Sequence, residues 1–193
     1  MSAARQRTGE DVLGRLRALL RREGGLIATL VEPEATAVAA AAPGVRNGRH
    51  SSPGSVAASG PRAAGRREQY ELLVEAIYEG YLLHYGAPRV VRVPEADLKL
   101  LAGDRLYAIG LARLVALGDT LAVAELADTI SLSALAQGAG QSKLADAVWV
   151  AGARAVGYGS SAEHDRAKDL VLAAAPNAIE AMRTSALGGA APR

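Results

Sequence analysis

The chain is predicted to fold as an all-α, antiparallel bundle of about six helices, preceded by an amphipathic helix and a linker. Three observations predict it. From Arg67 onward apolar residues recur at helical spacing, broken by Gly, Pro and Asp. Half of the 193 residues are apolar, yet Phe is absent and aromatic residues make up only 4%. A core of Leu, Val, Ile and Ala suits closely spaced helices better than a β-sandwich. The breaks between periodic segments are short, which makes consecutive helices antiparallel neighbours.

Residues 1–32 form the first unit. Within it, residues 10–23 place Val12, Leu13, Leu16, Leu19 and Leu20 on one helical face. Glu10 and Asp11 stand in the first turn and Arg21 and Arg22 in the last, as the helix dipole favours. Gly24-Gly25 ends the helix, and Leu26–Val31 forms a further short turn. Residues 33–66 read as a disordered linker, because Ala, Gly, Ser and Pro dominate, Asn47-Gly48 and Pro53-Gly54 mark turns, and no apolar period is present. Its basic residues Arg46, Arg49, Arg62 and Arg66 are scattered among non-aromatic neighbours, a tether rather than a nucleic-acid arm.

Residues 67–187 are the predicted bundle, expected to fold without residues 1–66. The first helix, about 67–85, carries Tyr70, Leu73, Val74, Ile77, Tyr78, Tyr81, His84 and Tyr85 on one face, with Glu71, Glu75 and Glu79 as a solvated acidic stripe. Gly86, Ala87 and Pro88 stop it, and Arg89–Val93 is a connector. Pro94, followed by Glu95 and Asp97, opens a helix running to about Leu117 that is apolar almost all round. Gly103 and Gly110 weaken that helix, so their use is close approach of a neighbour. Gly118 ends it, and Asp119 caps a helix at about 120–137. Further helices are predicted at 142–156, at 161–174 behind a Ser160/Glu163 capping box, and after Pro176. The tail 188–193 is expected to be loose.

Leu82-Leu83-His84-Tyr85-Gly86, followed by Leu100-Leu101-Ala102-Gly103-Asp104, resembles the polyprenyl diphosphate synthases, where LLHDD closes one helix and LLAGD opens the next. The resemblance covers residues 68–136. It implies one half of an isoprenoid-synthase-like bundle, and Leu100, Leu101, Gly103, Asp104 and Gly110 are its structural motif. Where that family places metal-binding aspartates, this chain has Tyr85, Gly86 and Arg89. Prenyl transfer needs clustered oxygen ligands for Mg²⁺ to hold and discharge a diphosphate. The only adjacent carboxylate pair is Glu10-Asp11. The chain is therefore expected to be a non-catalytic relative, most similar to the small subunit of heptaprenyl-type synthases. It is expected to need no cofactor or metal, and to act through an interface with a catalytic prenyl synthase subunit or as a homodimer.

Tyr70, Tyr78, Tyr81, His84 and Tyr85 are the candidate interface or ligand-facing residues, with core bulk in a Phe-free protein as the competing assignment. His50, His84 and His164 show no metal spacing, and His164 falls on a helix that looks exposed. The serines at 131, 133, 160 and 161 have no partner readable from sequence. The Gly157-Tyr158-Gly159 stretch fits a helix cap better than an anion loop. A second functional hypothesis comes from an internal echo: Asp104-x-x-Tyr107-x-x-Gly110 against Asp146-x-x-Trp149-x-x-Gly152. This suggests a tetratricopeptide-like helical adaptor, although two copies are fewer than such arrays use.

Composition bounds the remaining classes. Cys is absent, which excludes disulfides, Cys-ligated zinc and thiol catalysis and fits a cytoplasmic setting. Residues 1–66 carry 10 Arg against 5 acids, net +5, and residues 67–193 carry 12 Lys or Arg against 15 acids, net −3. No run approaches the ~20 apolar residues of a membrane span, and the acids around Leu26–Val31 argue against a secretory signal.

Overall fold

The structure, a computed structural model, describes residues 2–33 and 52–188, with the side chains of the first helix described from Val12 onward. It is all-helical among those residues. The elements are α1 (Ser2–Glu23), α2 (Gly25–Thr29), α3 (Pro53–Ser59), a 3₁₀ turn (Pro61–Ala63), α4 (Arg67–Tyr85), α5 (Ala96–Ala116), α6 (Thr120–Gly138), α7 (Ser142–Tyr158), α8 (Ala162–Leu172) and α9 (Ala178–Leu187). The six helices of the predicted bundle are α4–α9. Their connections are short, and α4–α5, α6–α7 and α8–α9 form successive helical hairpins.

Local chemistry accounts for the boundaries. Asp119 caps α6 by accepting the Ala122 N–H at 3.0 Å, and Ser161 caps α8 by accepting the His164 N–H at 3.2 Å. The cap of α8 is thus one residue later than the sequence pattern suggests, and Ser160 instead donates to Asp165 at 2.7 Å. Gly159, at φ 94°, turns the chain out of α7 in a conformation that disfavours side chains, which agrees with the cap assignment.

Two cores result. The larger joins α3, α4, α6, α7, α8 and α9 around Trp149, Ile77, Leu126 and Met182. The smaller joins α1, α2, α4, α5 and the 86–95 connector around Leu16, Leu20, Leu83, Val90 and Leu106. Backbone bonds from Glu32 N to Val90 O and from Arg92 N to Leu30 O, both 2.9 Å, pin α2's exit to the connector.

The linker assignment needs correction over residues 52–66; residues 34–51 lie outside the described residues. Pro53–Ser59 is a helix, capped by Ser52 and wedged between α4 and α7. Its small residues give it no apolar period, and that same smallness lets it enter. A Cβ on Gly60 would sit 2.1 Å from the Gly157 carbonyl oxygen, and one on Gly157 would sit 2.3 Å from that of Ala57. Arg62 then donates to the Val156 carbonyl at 3.2 Å and to Asp119 at 2.7 Å. The expected independence of residues 67–187 needs the same correction, because Leu16, Leu19 and Leu20 of α1 are buried against α4 and α5.

Three outcomes follow. A fragment Arg67–Arg193 uncovers Leu83, Leu106 and Ile109, and its thermal unfolding is expected to lose the cooperative transition of the full chain. Gly157→Ala forces backbone apart and is expected to lower stability by about 2 kcal/mol in urea unfolding. Gly14→Ala, where a Cβ meets nothing within 4 Å, is expected to be neutral or stabilising by up to ~1 kcal/mol.

Candidate functional site at the α4–α5 hairpin

The acidic row of α4 decides how this hairpin is built. Glu71, Glu75 and Glu79 follow each other at four-residue spacing and so share one face. The sequence pattern puts that face in water, but the structure buries it: Glu75 and Glu79 are 0% exposed. The physical reason is that α1, α3 and the connector, all outside the predicted bundle or read as loop, close over it. Glu75 accepts the Gly54 N–H at 2.8 Å and faces an Arg89 guanidinium nitrogen at 2.7 Å. Glu79 accepts from the Arg89 and Val90 amides, each at 2.6 Å, and from Arg89 Nε at 3.0 Å. Glu71 pairs with Arg15 of α1 at 2.8 Å. Buried carboxylates persist only when paired and hydrogen-bonded, and both conditions are met. Burial works against the charge of Arg89, but its two glutamates outweigh that and raise its pKa above the ordinary guanidinium value.

Arg89 stands where the resemblance places a metal-binding aspartate. Its guanidinium instead occupies the space between Glu75 and Glu79. Among the described residues, no group of three or more His, Asp or Glu side chains is disposed to hold a metal ion.

The tyrosine face is a ladder of rings rather than one surface. Trp149 of α7 meets Tyr78 edge-on at 4.9 Å and Tyr81 at 5.2 Å. Tyr81 continues to Tyr85 at 5.4 Å, Tyr85 to His84 at 5.7 Å, and His84 stacks on Tyr107 of α5 at 5.3 Å and 3°. Such offset and tilted pairs add to the packing of the apolar area they bury. Tyr81 is buried and its hydroxyl accepts from Gln137 at 2.6 Å. Tyr70 is buried beside α6, donating a short hydrogen bond to Asp119. Burial raises the pKa of Tyr78, Tyr81 and Tyr107, so these three phenols stay uncharged. Tyr70 and Tyr81 therefore belong to the core. Tyr85, at 45% exposure, is the member that reaches solvent.

The motif residues divide in the same way. Gly103 and Gly110 are the crossing of α4 and α5: a Cβ on Gly103 would lie 2.5 Å from the His84 ring, and one on Gly110 would lie 2.3 Å from Ile77. Gly80 of α4, not singled out by the sequence pattern, completes the crossing, with a Cβ there 2.9 Å from the Gly103 carbonyl oxygen. Asp104 lies 3.1 Å from His84 Nε2 on the outer edge. Leu100 and Leu101 point outward, at 47% and 64% exposure.

A second polar cluster escaped the sequence entirely. His164 is buried, not exposed, and its ring joins Glu125 of α6 at 2.7 Å to Ser185 of α9 at 3.2 Å. A lone His on a short polar helix gives no such signal, since both partners come from other helices.

No protein-family model matches the chain, and no curated protein or solved structure matches it.

The carboxylate row yields a direct test. Arg89→Met removes the one guanidinium shared by two buried carboxylates, and a loss of about 3–5 kcal/mol is expected, read as a lower urea midpoint with unchanged slope.

Proposed function

We propose that the chain is a helical subunit related to the polyprenyl diphosphate synthases, which carries out no prenyl transfer itself. It acts by presenting the outer face of α5 to a catalytic prenyl synthase partner, or in its absence to a second copy. The observation that carries this reading is the one-sided packing of α5. The helix lies chiefly on α4, and its opposite face exposes Leu101, Ala108, Ala112 and Val115, with Leu100 beside them. These positions follow helical spacing and form an apolar stripe that exposed Asp104 and Arg105 interrupt after Leu101. An apolar stripe on a helix otherwise seated in the fold is the usual mark of a partner. The Glu75–Arg89–Glu79 arrangement supports the rest of the reading, because the guanidinium takes the place a metal ion would need beside those carboxylates. No helix among the described residues is long and apolar enough to cross a membrane.

A helical adaptor is the second reading, favoured by one observation. The two halves of the sequence echo sit at equivalent places. Gly110 of α5 abuts Ile77 of α4, and Gly152 of α7 abuts Thr129 of α6, each glycine on the second helix of a hairpin and facing the first. The echo is therefore a repeated hairpin crossing.

One measurement tests the absence of prenyl transfer, which both readings share, and a second separates the two. The purified chain is expected to show no condensation of isopentenyl with allylic diphosphates, with or without Mg²⁺; turnover that survives repurification overturns the reading. Light scattering is expected to show a dimer, or a stable complex with a co-expressed synthase, that Ala112→Glu or Val115→Glu dissociates without lowering the unfolding temperature. A monomeric wild type that captures no synthase favours the adaptor. Tyr81 and Ile109, each 4% exposed, are core positions, so substitutions there report on stability and not on the interface.

A further inference from the structure

At the end of the molecule away from the α4–α5 hairpin, three side chains from three helices stand in line. Glu125 of α6, His164 of α8 and Ser185 of α9 are all buried. Glu125 Oε1 lies 2.7 Å from His164 Nε2, and His164 Nδ1 lies 3.2 Å from Ser185 Oγ. Lys168 pairs with Glu125, its ammonium 3.2 Å from Oε2, and Asp128 pairs with Lys168 at 2.9 Å. When Glu125 accepts from Nε2–H, the other ring nitrogen, Nδ1, is the one that faces Ser185 Oγ. Ser185 Oγ donates at rest to the Met182 carbonyl at 2.9 Å, so its proton must turn from that carbonyl to Nδ1 when the serine reacts. This is the relation of carboxylate to imidazole to hydroxyl that activates a serine, recognised by geometry and not by order in the chain.

Ser185 lines an open groove of about 360 Å³ between α8 and α9. Ala167, Leu170 and Ala181 give this groove one apolar wall, and Glu163, Glu180, Arg166, Asn177 and Thr184 line the rest with charged and polar groups. That volume falls in the range of small-ligand sites. Arg166 and Asn177 can donate to a carbonyl oxygen, and the apolar wall can take the short acyl chain of a small ester.

We propose that Ser185, His164 and Glu125 form an acyl-transfer site that hydrolyses small carboxylic esters, independent of any interface at α5. Ser185 Oγ attacks the carbonyl carbon while its proton passes to His164 Nδ1. The carbon–oxygen bond to the alcohol breaks, the alcohol leaves with that proton, and the acyl group stays on Ser185. Water then attacks the acyl-serine, giving a proton to His164 Nδ1. The acid departs as the proton returns to Ser185 Oγ. Ser185 and His164 are the catalytic residues, and Glu125 is a positioning residue.

The full chain treated with a fluorophosphonate probe is expected to be labelled at Ser185, located by peptide mass spectrometry, and to hydrolyse p-nitrophenyl acetate. Ser185→Ala, a small change at a helical position, is expected to abolish both while the helical circular dichroism is retained. Glu125→Gln is expected to lower kcat by about 10²-fold with KM unchanged, the scale of general-base assistance, a split that mere loosening of the fold does not give. Folded wild-type protein that takes no label at Ser185 overturns the proposal without recourse to any variant. So does a folded Ser185→Ala protein that hydrolyses the ester at the wild-type rate.

Discussion

The Glu75 carboxylate is the point on which three separate stretches of chain converge. It belongs to α4, receives the Gly54 amide from α3, and faces Arg89 from the connector. Without Arg89 it is an unpaired buried charge, and without Gly54 a lone pair goes unanswered. Neither condition is tolerable at full burial. The hydrophobic surface of α4 is satisfied by many alternative packings, but this carboxylate is satisfied by one. Its demands fix where α3 lies and how the chain leaves α4, and Glu79 repeats the constraint one turn later with the amides of Arg89 and Val90.

Small residues make that convergence possible. The same alanine and glycine content that supplies little core volume lets backbones approach to van der Waals contact at three crossings: α4 with α5 at Gly80, Gly103 and Gly110, α6 with α7 at Gly152, and α3 with α7 at Gly60 and Gly157. Bulk is then needed at only a few places, and a ladder of one Trp, several Tyr and a His supplies it. Of its polar tips, the Tyr81 hydroxyl meets Gln137, while Trp149 Nε1 is buried without a hydrogen-bond partner.

The bundle was legible because each of its helices is bracketed by local chemistry: Gly86 and Pro88, Pro94, Gly118 and Asp119, Gly159, Pro176 all act within a few residues of the boundary they set. The glycines at 103 and 110 were legible for the same reason, as helix-weakening residues that demand a packing explanation. What sequence could not show was burial conferred from far away. Residues 53–59 read as linker because the segment contributes no large side chain, only smallness. Glu75 and Glu79 read as solvated because their partners lie outside the helix, and His164 read as exposed because Glu125 and Ser185 arrive from other helices. The tyrosines fell between these cases. Their shared face was visible, but which of them ends in water depends on where α6 and α7 lie.

The wedge formed by residues 53–63 also has a consequence for the order in which the molecule is made. Arg62 meets the Val156 carbonyl 94 residues later in the chain, and the groove that receives α3 has one wall from α4 and the other from α7. On a ribosome the wedge emerges before either wall exists. The hairpins α4–α5 and α6–α7 close through local contacts, which form quickly, whereas seating the wedge must await α7 and the closure of a long loop. A part of the core made before either of its walls is thus among the last to be fastened.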